Sequence, residues 1–323
     1  MKSSQSVKFD VVPYDQVDST DVLELNLLSL DYPLTPERAA LIRRLDPRTF
    51  PCFALYAVEK SSLYGQALLY RLPMISKDGP EDVGGIGLMC THPRANTHAI
   101  VARLLEESHE YMRQAGLKFS TIWTSRLKAS YRQYQDSRYI DAVTSSTVLA
   151  RCANVNLITD LAAERPGSRG SDLAGEFYQR TSKGRLGFAS RHPRFFSLMT
   201  ATGEIRPGSL WLLWDGDALA GYAVARFEEG VLKVDELRVS DNNTAARAVA
   251  ALILKTESIY VQVSVQNPIL ASSLLEAGYP TPVPSWNSLV VKPLLPGLSA
   301  EDFALRFGIG TGNFLFSYLD TAL

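Results

Sequence analysis

Val83-Gly84-Gly85-Ile86-Gly87-Leu88-Met89-Cys90 is an apolar run opened by glycines, and together with the segments after it this run decides the fold. Thr91-His92-Pro93-Arg94-Ala95-Asn96-Thr97-His98-Ala99 reads as a loop. Ile100 to Ala115 then carries apolar residues at helical spacing and is stopped by Gly116. Phe119 to Trp123 reads as a second strand, and Ser130 to Ser137 as a helix bearing tyrosines. Strand, loop, helix, strand, helix is an order that can aim backbone N–H groups at a diphosphate and a phenol at a thiolate.

The bulk numbers narrow the class. At 323 residues the chain exceeds one ordinary core and suits two. A hydrophobic share of 46% with 21% charged residues is that of a globular protein. A net charge of −1 gives no basic field for nucleic acid or an anionic membrane. No apolar run is long enough to span a bilayer, and Met1 to Ser6 has no signal-peptide core. Cys52, Cys90 and Cys152 show neither paired nor metal-like spacing, which points to a reducing cytoplasm and no metal.

Upstream, Val7 to Val12 reads as a strand and Val17 to Leu30 as a helix. Thr35-Pro36 starts a second helix, with Thr35 as N-cap, running to about Leu45. Cys52–Val58 and Tyr64–Leu72 read as strands, and Pro73 to Asp82 as a loop. Ala142 to Ala150 closes the first half, with a domain boundary near Arg151. Downstream, Leu157 to Tyr178 is helix-prone and Arg194 to Thr200 a short helix. Three strands come next: Leu210–Trp214, Ala218–Phe227 and Val231–Val239. Helix Ala245–Thr256, strand Ile259–Val265, helix Pro268–Ala277 and strand Ser288–Val291 complete the set. The two halves share one element order, the mark of an internal duplication. The fold class expected is α+β: two tandem domains, 1–150 and 151–323, each a mixed, mostly antiparallel twisted sheet flanked by helices.

Pro93, Ile100 and the Leu104-Leu105 pair resemble the pyrophosphate loop of the GNAT acyltransferases, Pro-x-x-(Arg/Gln)-Gly-x-Gly-(Ile/Leu)-(Gly/Ala). Asn96 stands at the Arg/Gln position, Thr97 and Ala99 at the glycines, and Val101 at the small residue. Ser130, Tyr134 and Tyr139 resemble the family's Ala-x-x-Leu-Tyr-Glu-x-x-Gly-(Phe/Tyr) helix, with Arg138 in place of Gly. Within the family the chain resembles tandem members such as the mycobacterial enhanced-intracellular-survival acetyltransferases, without their C-terminal domain.

That resemblance implies a first domain that binds acetyl-CoA as cosubstrate. Leu88, Met89 and Cys90 would face the pantetheine and thioester, and Asn96, Thr97, His98, Ala99 and Ile100 the diphosphate. It implies Tyr134 as the general acid that protonates the departing thiolate, near its ordinary pKa of ~10. Many family members carry a base on the strand before the loop, where this chain has Gly84, Gly85 and Ile86. Glu81 and Asp82 acting through water, or by analogy the terminal carboxylate of Leu323, stand as candidates. The second loop, Asp241 to Arg247, has no Gly, and Leu274 stands where the Tyr would be, so the second domain reads as a silent copy. The acceptor expected is a small-molecule or peptide amine in a cleft between the halves, with no nucleic acid and no membrane; self-association is left open.

The rival readings are fatty-acyl or aminoacyl transfer and, outside enzymes, a CoA-sensing scaffold with eroded loops. Gly308-Ile309-Gly310-Thr311-Gly312-Asn313 lacks the surroundings of a dinucleotide loop and reads as a turn. His92 and His98 have no third ligand in view, and Cys90 reads as core.

Overall fold

The computed structural model describes residues 9–167, 169–265 and 268–322. The chain forms two compact units. The first takes the described residues up to Leu72, Asp82–Ile140 and Val290–Ala300; the second takes Pro73–Glu81, Asp141–Leu289 and the described residues from Glu301 on. Both are α+β.

The first unit is built from β1 (Asp10–Pro13), α1 (Ser19–Leu30), α2 (Pro36–Leu45), β2 (Thr49–Glu59), β3 (Ser62–Ser76, up to Leu72), β4 (Gly79–Thr91, from Asp82), α3 (Thr97–Gln114), β5 (Phe119–Ser125) and α4 (Ala129–Asp136). Its strands lie in chain order, β1 to β5, with Val290–Pro293 beyond β5. β1, β2 and β3 pair antiparallel, while β4 and β5 run parallel. Thr35 caps α2 as expected: its hydroxyl accepts from the Arg38 N–H at 3.2 Å, and Pro36 supplies a turn position that needs no donor. Ile100, Leu104, Leu105 and Met112 recur at helical spacing, and α3 buries them against the sheet. Each such burial is worth roughly 1.5–3 kcal/mol. Gly65 permits the close approach: a Cβ there would stand 2.5 Å from Ile100 Cγ2.

Two local readings are corrected. α3 begins at Thr97 rather than Ile100, because Asn96 caps it. Pro73 to Asp82 is not an open loop: β3 and β4 continue as a hairpin around Lys77-Asp78. Ser76 Oγ donates to Gly79 O at 2.9 Å, and Gly79 takes the φ of +120° that the reversal needs.

The second unit contains β6 (Ile140–Arg151, from Asp141), β7 (Ala162–Glu164), α5 (Gly170–Ser182), β8 (Leu186–Gly187), α6 (Phe195–Ala201), β9 (Leu210–Asp215), β10 (Ala218–Glu228), β11 (Val231–Val239), α7 (Asn242–Thr256), β12 (Tyr260–Val265), α8 (Pro268–Glu276), β13 (Val283–Pro293, up to Leu289), α9 (Ala300–Phe307, from Glu301) and β14 (Phe314–Leu315). The strand order is β6-β12-β11-β10-β9-β7, with β11 and β12 parallel. The helix-prone Leu157–Tyr178 stretch is helical only from Gly170; β7 precedes it and pairs with β9.

The run β2-β3-β4-α3-β5-α4-β6 recurs as β9-β10-β11-α7-β12-α8-β13. Helix caps repeat too. The Tyr139 N–H donates to Tyr134 O at 2.9 Å, and the Tyr279 N–H to Leu274 O at 3.0 Å. Before each lies a left-handed residue, Arg138 at φ +66° and Gly278 at φ +86°.

The units do not follow the split at residue 150 suggested by element order. From Asp141 on, β6 belongs to the second unit, where its Thr147 to Arg151 stretch pairs with β12. In return Val290–Ala300 joins the first, placing Val290 and Leu294 in its core. A fragment of residues 1–150 is therefore expected to give no cooperative melt under conditions where the full chain does; calorimetry of the two side by side checks this.

Candidate functional site

β4 and β5 share rungs only at Gly84–Ser120, Gly85–Thr121 and Ile86–Ile122 among the described residues. Past Ile86, β4 runs on to Thr91 and β5 to Ser125. Leu88 sits in this stretch at φ +45°, a strained backbone for a branched side chain, costing on the order of 1 kcal/mol. Gln66 Nε2 holds the Leu88 carbonyl at 3.1 Å. Gln66 is itself fixed by Asn26: Asn26 Nδ2 donates to Gln66 Oε1 at 2.8 Å, and Gln66 Nε2 to Asn26 Oδ1 at 3.1 Å. Asn26 also donates to Val22 O at 2.8 Å. Both amides are fully buried, so each needs the other as a partner.

The glycines before this point are steric. A Cβ on Gly84 would stand 2.3 Å from Met112 Sδ, and one on Gly85 2.3 Å from the Tyr70 ring. Tyr70 thus fills the space beside Gly85. Asp82, on the same strand, lies six residues before Leu88, about 20 Å of extended chain, and faces Arg71 at 3.8 Å. Glu81 pairs with Arg306 at 3.3 Å within the second unit. Neither is placed as a base. Leu323 lies outside the described residues.

The loop residues come together at the start of α3. His92 to Ala95 is a turn closed by Ala95 N–H to His92 O at 2.9 Å. Asn96 Oδ1 reaches toward the Ala99 N–H at 3.5 Å. Thr91 Oγ1 donates to Thr97 Oγ1 at 3.1 Å, tying the end of β4 to the helix and leaving the Thr97 proton free to donate onward. Asn96, His98 and Ala99 are exposed, Thr97 half-buried and Ile100 buried. The helix dipole stands behind these first-turn amides with no acidic side chain in the turn.

Tyr134 is buried on α4, its ring edge-on to Tyr139 at 6.1 Å. Burial pushes its phenol up to about 12, partly offset by a hydrogen bond with Ser130 and reinforced by Cys90. The expected value near 10 is thus corrected, and Tyr134 is brought within electrostatic reach of β4. Cys90 is buried, and burial pushes its thiol up to about 12, which suits core rather than nucleophile. Behind Tyr134, the Tyr139 hydroxyl hydrogen-bonds His109 Nε2 at 2.8 Å and Ser120 Oγ at 2.7 Å.

Residues 14–135 match the family described as the acetyltransferase (GNAT) domain. This stretch is similar to that domain. No curated protein sequence matches the chain. Solved structures similar to it include a GCN5-related N-acetyltransferase from Anabaena variabilis, 12% identical, with TM-score 0.66 over 89% of this chain and 73% of that one. Another, from Kribbella flavida, is 15% identical, with TM-score 0.64 over 90% and 72%. Eis1 from Mycobacterium abscessus is 13% identical, with TM-score 0.60 over 88% and 74%. At these identities the likeness establishes a GNAT-type fold over most of the chain.

The first unit also contains buried polar contacts not singled out in the sequence, through Asn26, Gln66, His109 and Ser120. Asn26 and Gln66 are polar residues within otherwise apolar runs, and that mismatch was the available signal.

His109 makes a pH prediction. Burial, then Lys292 and Arg113, bring its imidazole down from 6.5 to about 3. The unfolded chain therefore takes up this proton below pH 6.5 while the folded chain does not. The associated stability is full above pH 6.5 and declines as pH falls toward 3. Going from pH 7 to about pH 5, His109 is expected to cost about 2 kcal/mol. Urea melts at both pH values should show that loss, and His109→Gln should show a smaller one.

Proposed function

We propose that the first unit transfers an acetyl group from acetyl-CoA to a primary amine by direct attack. The observation that carries this reading is the parting of β4 from β5 past Ile86, with Tyr134 buried in reach of Cys90. A thioester lying along Leu88, Met89 and Cys90 would accept from the Met89 and Cys90 amides, which stabilise the oxyanion as it forms. The diphosphate would meet the amides of Thr97, His98 and Ala99 and the free proton of Thr97. Asn96 and Ile100 shape that turn, one as cap and the other as its buried anchor. The larger residues at the family's glycine positions leave these backbone donors in place.

In the step itself the neutral amine attacks the carbonyl carbon, the C–N bond forms and the C–S bond breaks. Tyr134 gives its proton to the sulfur and regains one from solvent. The new ammonium loses its proton to water. A phenol with its pKa raised by burial stays protonated at neutral pH, so the acid is always loaded. An amine that arrives unprotonated requires no strong base, and no step is assigned to Leu323.

The acceptor is read as a small molecule or a peptide amine. Among the described residues, no helix is long and apolar enough to cross a membrane.

Tyr134→Phe removes one oxygen and keeps the ring. It is expected to lower kcat about 100-fold with a primary-amine acceptor. Acetyl-CoA affinity by calorimetry should stay within about twofold, because the lost group acts on sulfur only as it departs. Unchanged turnover would make Tyr134 a packing residue. An absence of acetyl-CoA binding in the unmodified chain would leave the scaffold reading.

A further inference from the structure

The second unit contains a cavity of about 320 Å³, a volume that suits a small metabolite. It opens where β11 and β12 stop pairing: their rungs run from Val231–Tyr260 to Val234–Val263, and the wall continues with Leu237, Arg238 and Val239. In a parallel pair joined by a helix, this is the end of the sheet where ligands collect.

Its charges are unbalanced in an informative way. Glu236 and Asp320 line it, but both are held by the buried Arg191. Arg191 reaches Glu236 with two bonds of 2.8 Å and Asp320 with one of 2.7 Å. Burial pushes Glu236 up, yet the Arg191 guanidinium outweighs it and keeps that carboxylate below its usual range. Asp241 also lines the cavity, and it caps α7, accepting from the Thr244 N–H at 3.1 Å and the Thr244 hydroxyl at 2.7 Å. The acids present are thus engaged.

Arg185 and Arg238 line the same cavity without any carboxylate in ion-pair distance among the described residues. Arg238 donates only to Thr181, through Nε to its hydroxyl at 3.0 Å and through Nη2 to its carbonyl at 2.6 Å. A guanidinium has five N–H groups, so donors remain on its other edge. Arg185 donates to Gly312 O at 2.8 Å and to Asn313 Oδ1 at 3.4 Å. Burial, and then repulsion from Arg185 among its neighbours, lower the Arg238 pKa. Two like charges share one wall; Glu236 acts on Arg238 in the opposite sense, but its carboxylate is bound by Arg191. Leu237, Leu270 and Phe316 supply an apolar surface beside them.

We propose that this cavity binds a small organic anion, with a carboxylate or phosphate head on Arg238 and Arg185 and an apolar body against Leu237, Leu270 and Phe316. Two forked donors fit either head group. A nucleotide diphosphate is disfavoured, because the Asp241 carboxylate already sits at the α7 start that a diphosphate would need.

The test uses the full chain and four probes at millimolar concentration and matched ionic strength: hexanoate, hexyl phosphate, hexan-1-ol and inorganic phosphate. At least one of the two anionic hexyl probes should raise the melting temperature by about 2–4 °C beyond the effect of inorganic phosphate. Hexan-1-ol should not. The larger response tells which head group the site takes. Arg185→Met, at a half-buried position, should melt like the parent and lose the shift. Leu270→Trp should lose it by filling the space. Ala99→Asp, which puts a carboxylate in the exposed first turn of α3, should keep it, separating this site from the first unit. Absence of a shift with both anions, or a shift retained in Arg185→Met, overturns the proposal.

Discussion

A strand in a sheet has its backbone groups spoken for, so a strand that receives a ligand must first be freed from a neighbour. In the first unit β4 leaves β5 after three shared rungs, and Leu88 takes a left-handed backbone to do so. That conformation has its own cost and persists only if something holds it. Asn26 and Gln66 provide the hold, from a helix and a strand forty residues apart. Because the amides are buried, loosening either would strand the other's polar groups away from water. The other groups lie near this departure from regular pairing: the amides of the α3 turn follow the end of β4, and the buried Tyr134 phenol is in electrostatic reach of Cys90.

Much of this was legible in the sequence. Thr35-Pro36 marked its helix start, and Val231–Val239 was read with its observed bounds. The duplication was visible because turn chemistry and apolar period survive divergence better than identity does. Tyr134 was singled out through a helix pattern whose closing position takes a left-handed residue, occupied here by Arg138. What the sequence did not disclose was long-range. The glycines at 84 and 85 read as an absent base; the structure adds that Met112 and Tyr70 need their space. The Asn26–Gln66 pair and the His109–Tyr139–Ser120 chain join residues from 19 to 40 positions apart, and no local period encodes such meetings.

The two copies show how one scaffold diverges in its electrostatics. Both part a parallel strand pair and both start a helix after the third strand. The first start is capped by a neutral amide, leaving the dipole available to an outside anion. The second is capped by a carboxylate that hydrogen bonds with Thr244 hold below its ordinary pKa. A single acidic residue thus satisfies from within what the other copy offers to a ligand. Around the second opening, β11 carries Arg238 and the segment after α5 carries Arg185.

The exchange of closing segments has a consequence for how the chain is made. A ribosome releases the first repeat long before Val290–Ala300 exists, so the nascent first unit waits with a gap in its core where Val290 and Leu294 belong. During that interval the apolar floor of β5 and α3 is open to water and to any other emerging chain. β6, meanwhile, has been synthesised but has no β12 to pair with. The first unit can close only once Val290–Ala300 is made, and the second only with the described residues from Glu301 on, so both are completed near the end of synthesis.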